Sequence, residues 1–284
     1  MRIRRIAILI DGGFFLKRLP KLVDPKHFLT PQAAAESARM LCKRHVQHLI
    51  KESESRRPSR WLDHVYRLFY YDAAPYTGIA HHPILNEQIQ FAKTKQAAFR
   101  EQLFAELRRK RKFALRLGHV NKEDGWLLKD SSVSKKLLKA RNFLAYFESI
   151  IEAQVKGTSI PELNAVDLKA FENMVTGWRD LQASDMRLGL RQKGVDMRIG
   201  VDIASLTLKR QVDTIVLVTG DSDFVPAAKV ARREGVEFLL DPLWQSVNDD
   251  LHEHVDGIVA GIRQNTTGST RSETPINDSQ NHDE

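Results

Sequence analysis

The chain has 284 residues, 42% of them hydrophobic, which is enough to pack a core and excludes general disorder. A formal net charge of +8 and a sequence pI near 9.5 favour polyanionic partners and say nothing about fold. The one cysteine, Cys42, excludes an intramolecular disulfide and a four-thiolate zinc site and suits a reducing compartment.

Basic residues at Arg2, Arg4 and Arg5 precede the apolar run Ile6 to Ile10. A signal peptide has the same order, but Asp11 ends this run too early for a leader or a bilayer span. The run reads instead as a central parallel strand, and the protein as cytoplasmic with no membrane partner. Thr30-Pro31 caps and opens a helix that reaches Ile50. Ser53 to Arg60 reads as a loop, and the aromatic, β-branched stretch Val65 to Tyr71 as a second strand that turns at Asp72-Ala73-Ala74-Pro75. Leu85 to Lys112 reads as one long helix and Phe113 to Val120 as a third strand. Residues 121–185 are helical in pattern, broken at Gly157 and Ile160-Pro161. They read as an insertion, because the core pattern resumes after them.

Lys193-Gly194-Val195-Asp196 leads into an expected strand, Met197 to Val201, and Asp202 is expected to open a short helix over Ile203 to Lys209. Thr214 to Val218 is an all-apolar strand. Asp221-Ser222-Asp223 begins a helix that accepts Pro226 in its first turn and stops at Gly235, before a strand over Val236 to Leu240. Strand, helix, strand in this order predicts a right-handed parallel crossover. One domain is expected over 1–263, followed by a disordered polar tail over 264–284.

In open parallel sheets, sites form beyond the carboxyl ends of the strands. Asp11 follows the first strand, Asp221 and Asp223 follow Thr214 to Val218, and Asp202 follows Met197 to Val201. Carboxylates crowded there would oppose folding unless a cation neutralised them. Oxygen donors without thiolate favour Mg²⁺ or Mn²⁺. Each acid also has a plainer reading. Asp202 and Asp223 suit helix caps, and Asp11-Gly12-Gly13 suits a turn. Two acids flanking a serine are more than a cap needs. Asp196 is either a strand-edge acid or a further site member. Asp213 precedes its strand, at the wrong end, and Asp241 stands beside Pro242 and ranks below the others. His81-His82 and His252-x-His254 lack zincin spacing and read as ordinary histidines.

Ile8-Leu9-Ile10-Asp11-Gly12-Gly13-Phe14-Phe15, Lys193-Gly194-Val195-Asp196, Asp202, and Val218-Thr219-Gly220-Asp221-Ser222-Asp223-Phe224 resemble, in this order, the motifs of NYN domains, a PIN-like and LabA-like family. The resemblance covers about residues 5–70 and 185–260. It implies a PIN-like three-layer α/β/α sandwich with a central parallel sheet and a helical insertion. It also implies an acidic Mg²⁺ or Mn²⁺ site and cleavage of RNA phosphodiesters to 5′-phosphate and 3′-hydroxyl ends. Carried over by position, Asp11, Asp202, Asp221 and Asp223 are the metal ligands, and Asp196 joins them as a fifth catalytic candidate. The sequence departs from the family in one place. Many NYN sequences have Asn in an Asp-Gly-x-Asn pattern, whereas Phe14 follows Asp11-Gly12-Gly13 here.

Single-stranded RNA is therefore the expected partner. Its backbone would be held by Arg108, Arg109, Lys110, Arg111 and Lys112 and by the group Lys129, Lys135, Lys136, Lys139 and Arg141. Lys193 and Thr219 are candidates for contacting phosphate or ordering the carboxylates. The alternative is a non-catalytic RNA- or protein-binding regulatory module on the same fold, which would have no use for a costly acidic cluster. The insertion is a candidate substrate clamp or homodimer surface.

Overall fold

The computed structural model describes residues 4–51 and 60–263. β1 (Ile6–Asp11) runs directly into α1 (Gly12–Arg18), and α2 (Pro31–Leu49) precedes β2 (Val65–Ala73). The hairpin of β3 (Ile79–His81) and β4 (Gln88–Gln90) comes next, then α3 (Lys95–Arg109) and the long β5 (Phe113–Leu128). Three helices follow, α4 (Ser131–Leu138), α5 (Leu144–Lys156) and α6 (Ala165–Arg179). The chain continues through β6 (Met186–Lys193), α7 (Val195–Leu208), β7 (Thr214–Val218) and α8 (Val225–Arg233). It ends with β8 (Glu237–Asp241), α9 (Asp249–Glu253) and β9 (Gly257–Ile258).

The main sheet has the order β6-β5-β2-β1-β7-β8-β9. β1 pairs in parallel with β2 and β7, β7 with β8, and β8 with β9, whereas β6 runs antiparallel on β5. The architecture is α/β with a seven-stranded, mostly parallel sheet, consistent with a PIN-like α/β/α fold. The chain divides into two compact units: Met1–Asp72 with Gln102–Arg116 and Met197–Glu284, and Ala73–Glu101 with Leu117–Asp196.

In the first unit every residue from Ile6 to Ile10 and from Ile215 to Val218 is fully buried, as continuous apolar runs demand of strands covered on both faces. Successive residues of β2 reach opposite layers. Tyr70 meets Phe15 of α1 edge-on at 6.3 Å, while the Tyr71 hydroxyl donates to Asp202 of α7 at 2.9 Å. The expected helix start at Thr30 holds, with its Oγ1 accepting from Ala33 N at 3.2 Å. Thr30→Ala should lower unfolding stability by about 1 kcal/mol in a urea melt. Pro226 sits in the first turn of α8, and Gly235 follows that helix at φ 78°.

Three expectations are corrected. The long helix begins at Lys95, not Leu85, because Thr94 is extended and its Oγ1 accepts from Ala97 N at 3.3 Å. Residues 121–128 are strand, not helix. They pair with β6, a strand that sequence reading missed because the ribbon carries polar side chains such as Lys122, Glu123, Arg191 and Gln192. Met197 to Val201 is not a strand, and Asp202 opens no helix: α7 runs through both. Val195, Ile199, Ile203 and Leu206 are buried at helical spacing, whereas Met197 and Val201 are 75% and 60% exposed. The alternation Val195-Asp196-Met197-Arg198-Ile199-Gly200-Val201-Asp202 imitates the period of a strand and concealed the helical one. The loop over 53–59 and the tail over 264–284 lie outside the described residues. Among the described residues no helix is long and apolar enough to cross a membrane.

Candidate acidic site at the sheet edge

β1 has β2 on one side and β7 on the other, so the strand order reverses beside it and leaves a crevice at the carboxyl ends. Ile10 is in register with Val218. Asp11, the last residue of β1, therefore emerges beside the strand that leads into the Thr219-Gly220-Asp221 turn, with Asp221 three residues beyond the end of β7.

Each acid also shapes its own turn. Asp11 accepts from Phe14 N at 3.1 Å and caps α1. Asp221 accepts from Asp223 N at 3.0 Å and donates its own N–H to Thr219 Oγ1 at 3.3 Å. Thr219 is fully buried, so it orders the turn instead of meeting phosphate. Asp221 and Asp223 are exposed, and Asp11 is half-buried.

Two glycines allow these segments to approach. A Cβ on Gly12 would lie 2.5 Å from Tyr70 Cε1 and 2.6 Å from the Tyr71 carbonyl oxygen. Because one of these neighbours is backbone, Gly12→Ala should cost about 1–3 kcal/mol, read by chemical denaturation. A Cβ on Gly220 would lie 2.9 Å from both Phe14 Cε2 and Gln245 Nε2. The Phe14 ring thus packs against the Asp221 turn, where the family pattern would supply an amide.

Asp202 is held differently. It accepts from the Tyr71 hydroxyl and from Arg116 Nε at 3.0 Å. Tyr71 is in register with Asp11, so the two project from the same face of the sheet. Burial, and then the Asp202 charge, push the Tyr71 hydroxyl far above its ordinary pKa, so it stays a protonated donor. The Arg116 guanidinium also lies 5.2 Å over the Phe69 ring. Asp202 is therefore compensated by the protein's own cation.

The remaining candidates divide between the units. Asp196 is exposed in the first turn of α7 and belongs to the second unit, as does Lys193. Lys193 pairs with Glu123, whose carboxyl it holds below the usual range. In the basic block, Arg109 pairs with Glu106 at 3.2 Å and Lys110 with Glu36 at 2.9 Å, and Lys112 Nζ donates to Val65 O at 2.9 Å. Arg108, Arg109 and Arg111 are exposed.

Two further acids are fully buried, Asp72, read from the sequence only as part of a turn, and Asp241, ranked below the other candidates. Asp72 is fully buried at the carboxyl end of β2, and its only signal was that, like Asp11, it closes an apolar strand. Asp241 is also fully buried. It takes His45 Nε2 at 2.7 Å and accepts from Leu243 N and Gly261 N, each at 2.9 Å. Asp213 lies at the opposite end of the sheet and accepts from Arg5 N at 2.7 Å.

The expected convergence of four carboxylates is not formed. Among the described residues no group of three or more His, Cys, Asp or Glu side chains could hold a metal ion. The edge offers two hard oxygen donors, Asp11 at the end of β1 and Asp221 in the turn after β7.

The NYN domain family model matches residues 131–260. The match contains Lys193, Asp196, Asp202, Asp221 and Asp223 and begins within the expected insertion; Asp11 lies outside it. No curated protein matches the chain. Among solved structures, a protein of unknown function from Vibrio parahaemolyticus is similar at 14% identity, covering 92% of this chain and 96% of that one with a TM-score of 0.37.

Proposed function

We propose that this chain, which carries an NYN domain, is a ribonuclease that hydrolyses phosphodiester bonds of single-stranded RNA with Mg²⁺ or Mn²⁺ held at Asp11 and Asp221. NYN domains are nuclease-like as a family. The observation that carries the reading is the position of Asp11 at the end of β1 and of Asp221 in the turn that follows the adjacent parallel strand β7, where the strand order reverses.

A divalent ion bound there would neutralise phosphate charge and lower the pKa of a water molecule. Asp223, exposed one residue beyond Ser222, completes the acidic rim through water. Asp202 is a positioning residue: Arg116 and the protonated Tyr71 fix its orientation on the face shared with Asp11. Asp196 stays in reserve. The net charge of +8 favours RNA in general. The exposed Arg108, Arg109 and Arg111 belong to a block that meets the amino end of β2 through Lys112 and Val65, the end of the strand away from Asp11, so they would attract RNA at a distance from the acidic edge. Lys193 would have to exchange Glu123 for phosphate to take part. A cytoplasmic setting belongs to the same reading and is supported by the single cysteine.

One observation favours a second reading, a non-catalytic RNA- or protein-binding module. Among the described residues no three-acid group forms, and Asp11 and Asp221 both serve as caps. Labelled RNA and single-stranded DNA incubated with the chain in Mg²⁺, Mn²⁺ or EDTA separate the two. Cutting of RNA that EDTA abolishes is expected. RNA retained in a gel shift but uncut at every metal concentration would transfer the chain to the second reading.

A further inference from the structure

The chain leaves β8 through two consecutive residues in the left-handed backbone region, Leu243 at φ 48° and Trp244 at φ 60°. Neither is Gly or Asn, which enter that region at least cost. Such strain persists only where the surroundings over-determine it. Here Leu243 N donates to Asp241 Oδ1 at 2.9 Å, and Leu243 O accepts from Arg18 Nε at 3.1 Å and Nη2 at 2.7 Å. Trp244 Nε1 donates to Ile262 O at 2.7 Å.

Burial explains Leu243, whose side chain is fully enclosed. It does not explain Trp244, which is 43% exposed with its indole N–H tethered. A tethered ring cannot swing away and offers a rigid, half-solvated aromatic surface. The next residue, Gln245, reaches Gly220, the residue before Asp221. The strained turn is therefore a neighbour of the acidic edge.

We propose that Trp244 is a stacking platform for a base of the single-stranded nucleic acid whose phosphate lies at that edge. The proposal rests on the reading of Asp11 and Asp221 as a phosphodiester site, and it names what grips the strand beside it. Every base has a π-face, so a fixed indole holds a strand without reading its sequence. A tryptophan buys large contact area with little rotamer freedom to lose.

The test uses the full chain in EDTA, so that bound RNA stays uncut, with a single-stranded oligoadenylate followed by tryptophan fluorescence. Wild type should bind with quenching. Trp244→Phe should keep affinity within about three-fold while losing much of the quench. Trp244→Ala and Trp244→Leu should bind roughly 5- to 100-fold more weakly. Binding of the Leu variant as tight as wild type, unchanged quenching in the Phe variant, or no binding by wild type overturns the proposal. If Trp244→Ala fails to fold by circular dichroism, the Phe and Leu pair still decides. Trp244-dependent binding without any metal-dependent cleavage would sink the nuclease reading and leave the platform standing. Cleavage with Trp244-independent binding would do the reverse.

Discussion

Asp221→Asn should remove metal-dependent RNA cleavage, lowering kcat roughly 100-fold or more, the scale set by several kcal/mol of charge stabilisation. The substitution is chemically severe but structurally mild. Asp221 is exposed, and its inward duty is to accept from Asp223 N at 3.0 Å. An asparagine oxygen can accept the same bond and cap the same turn. Circular dichroism and the melting curve should therefore match wild type while cleavage disappears. Partial recovery at high Mn²⁺ would mean weakened metal affinity, not a lost chemical role. Equal cutting by variant and wild type would mean that the activity does not come from this edge.

Asp241→Ala should have the largest effect on stability, about 3–5 kcal/mol in urea unfolding. The carboxylate is fully buried and serves His45 Nε2, Leu243 N and Gly261 N, so its removal strands three donors away from water. Cys42 supplies an independent readout. Its thiol is buried on α2, and burial, with Asp241 adding to it, holds it far above its ordinary pKa, protonated and inert. A thiol reagent should label Cys42 slowly in wild type and much faster in the variant. A loss under about 1 kcal/mol would show that water replaces the missing acceptor.

Where each residue's role follows from its nearest neighbours in the chain, the sequence was legible. Ile6 to Ile10 and Ile215 to Val218 are unbroken apolar runs, the Thr30 cap and Pro226 punctuate helix starts, Asp11 closes its strand, and Asp221 stands in the turn just after the other. Roles set by distant partners were not legible. Asp202 looks like a helix opener until Arg116, 86 residues away, is seen beside it. Asp241 looks idle until His45, 196 residues away, is seen against it. β6 was hidden for another reason: its alternation, Met186, Leu188 and Leu190 against Arg187, Gly189 and Arg191, is short and carries one buried side chain, Leu188, in a ribbon otherwise rich in charge.

That same ribbon governs how copies of the chain meet at high concentration. The sheet ends on one side at β6, whose edge carries Arg187, Arg191 and Lys193, and on the other at β9, only two residues long. Cationic or very short rims are poor templates for a further strand. Among the described residues, both rims of the sheet therefore disfavour edge-to-edge pairing with a further strand.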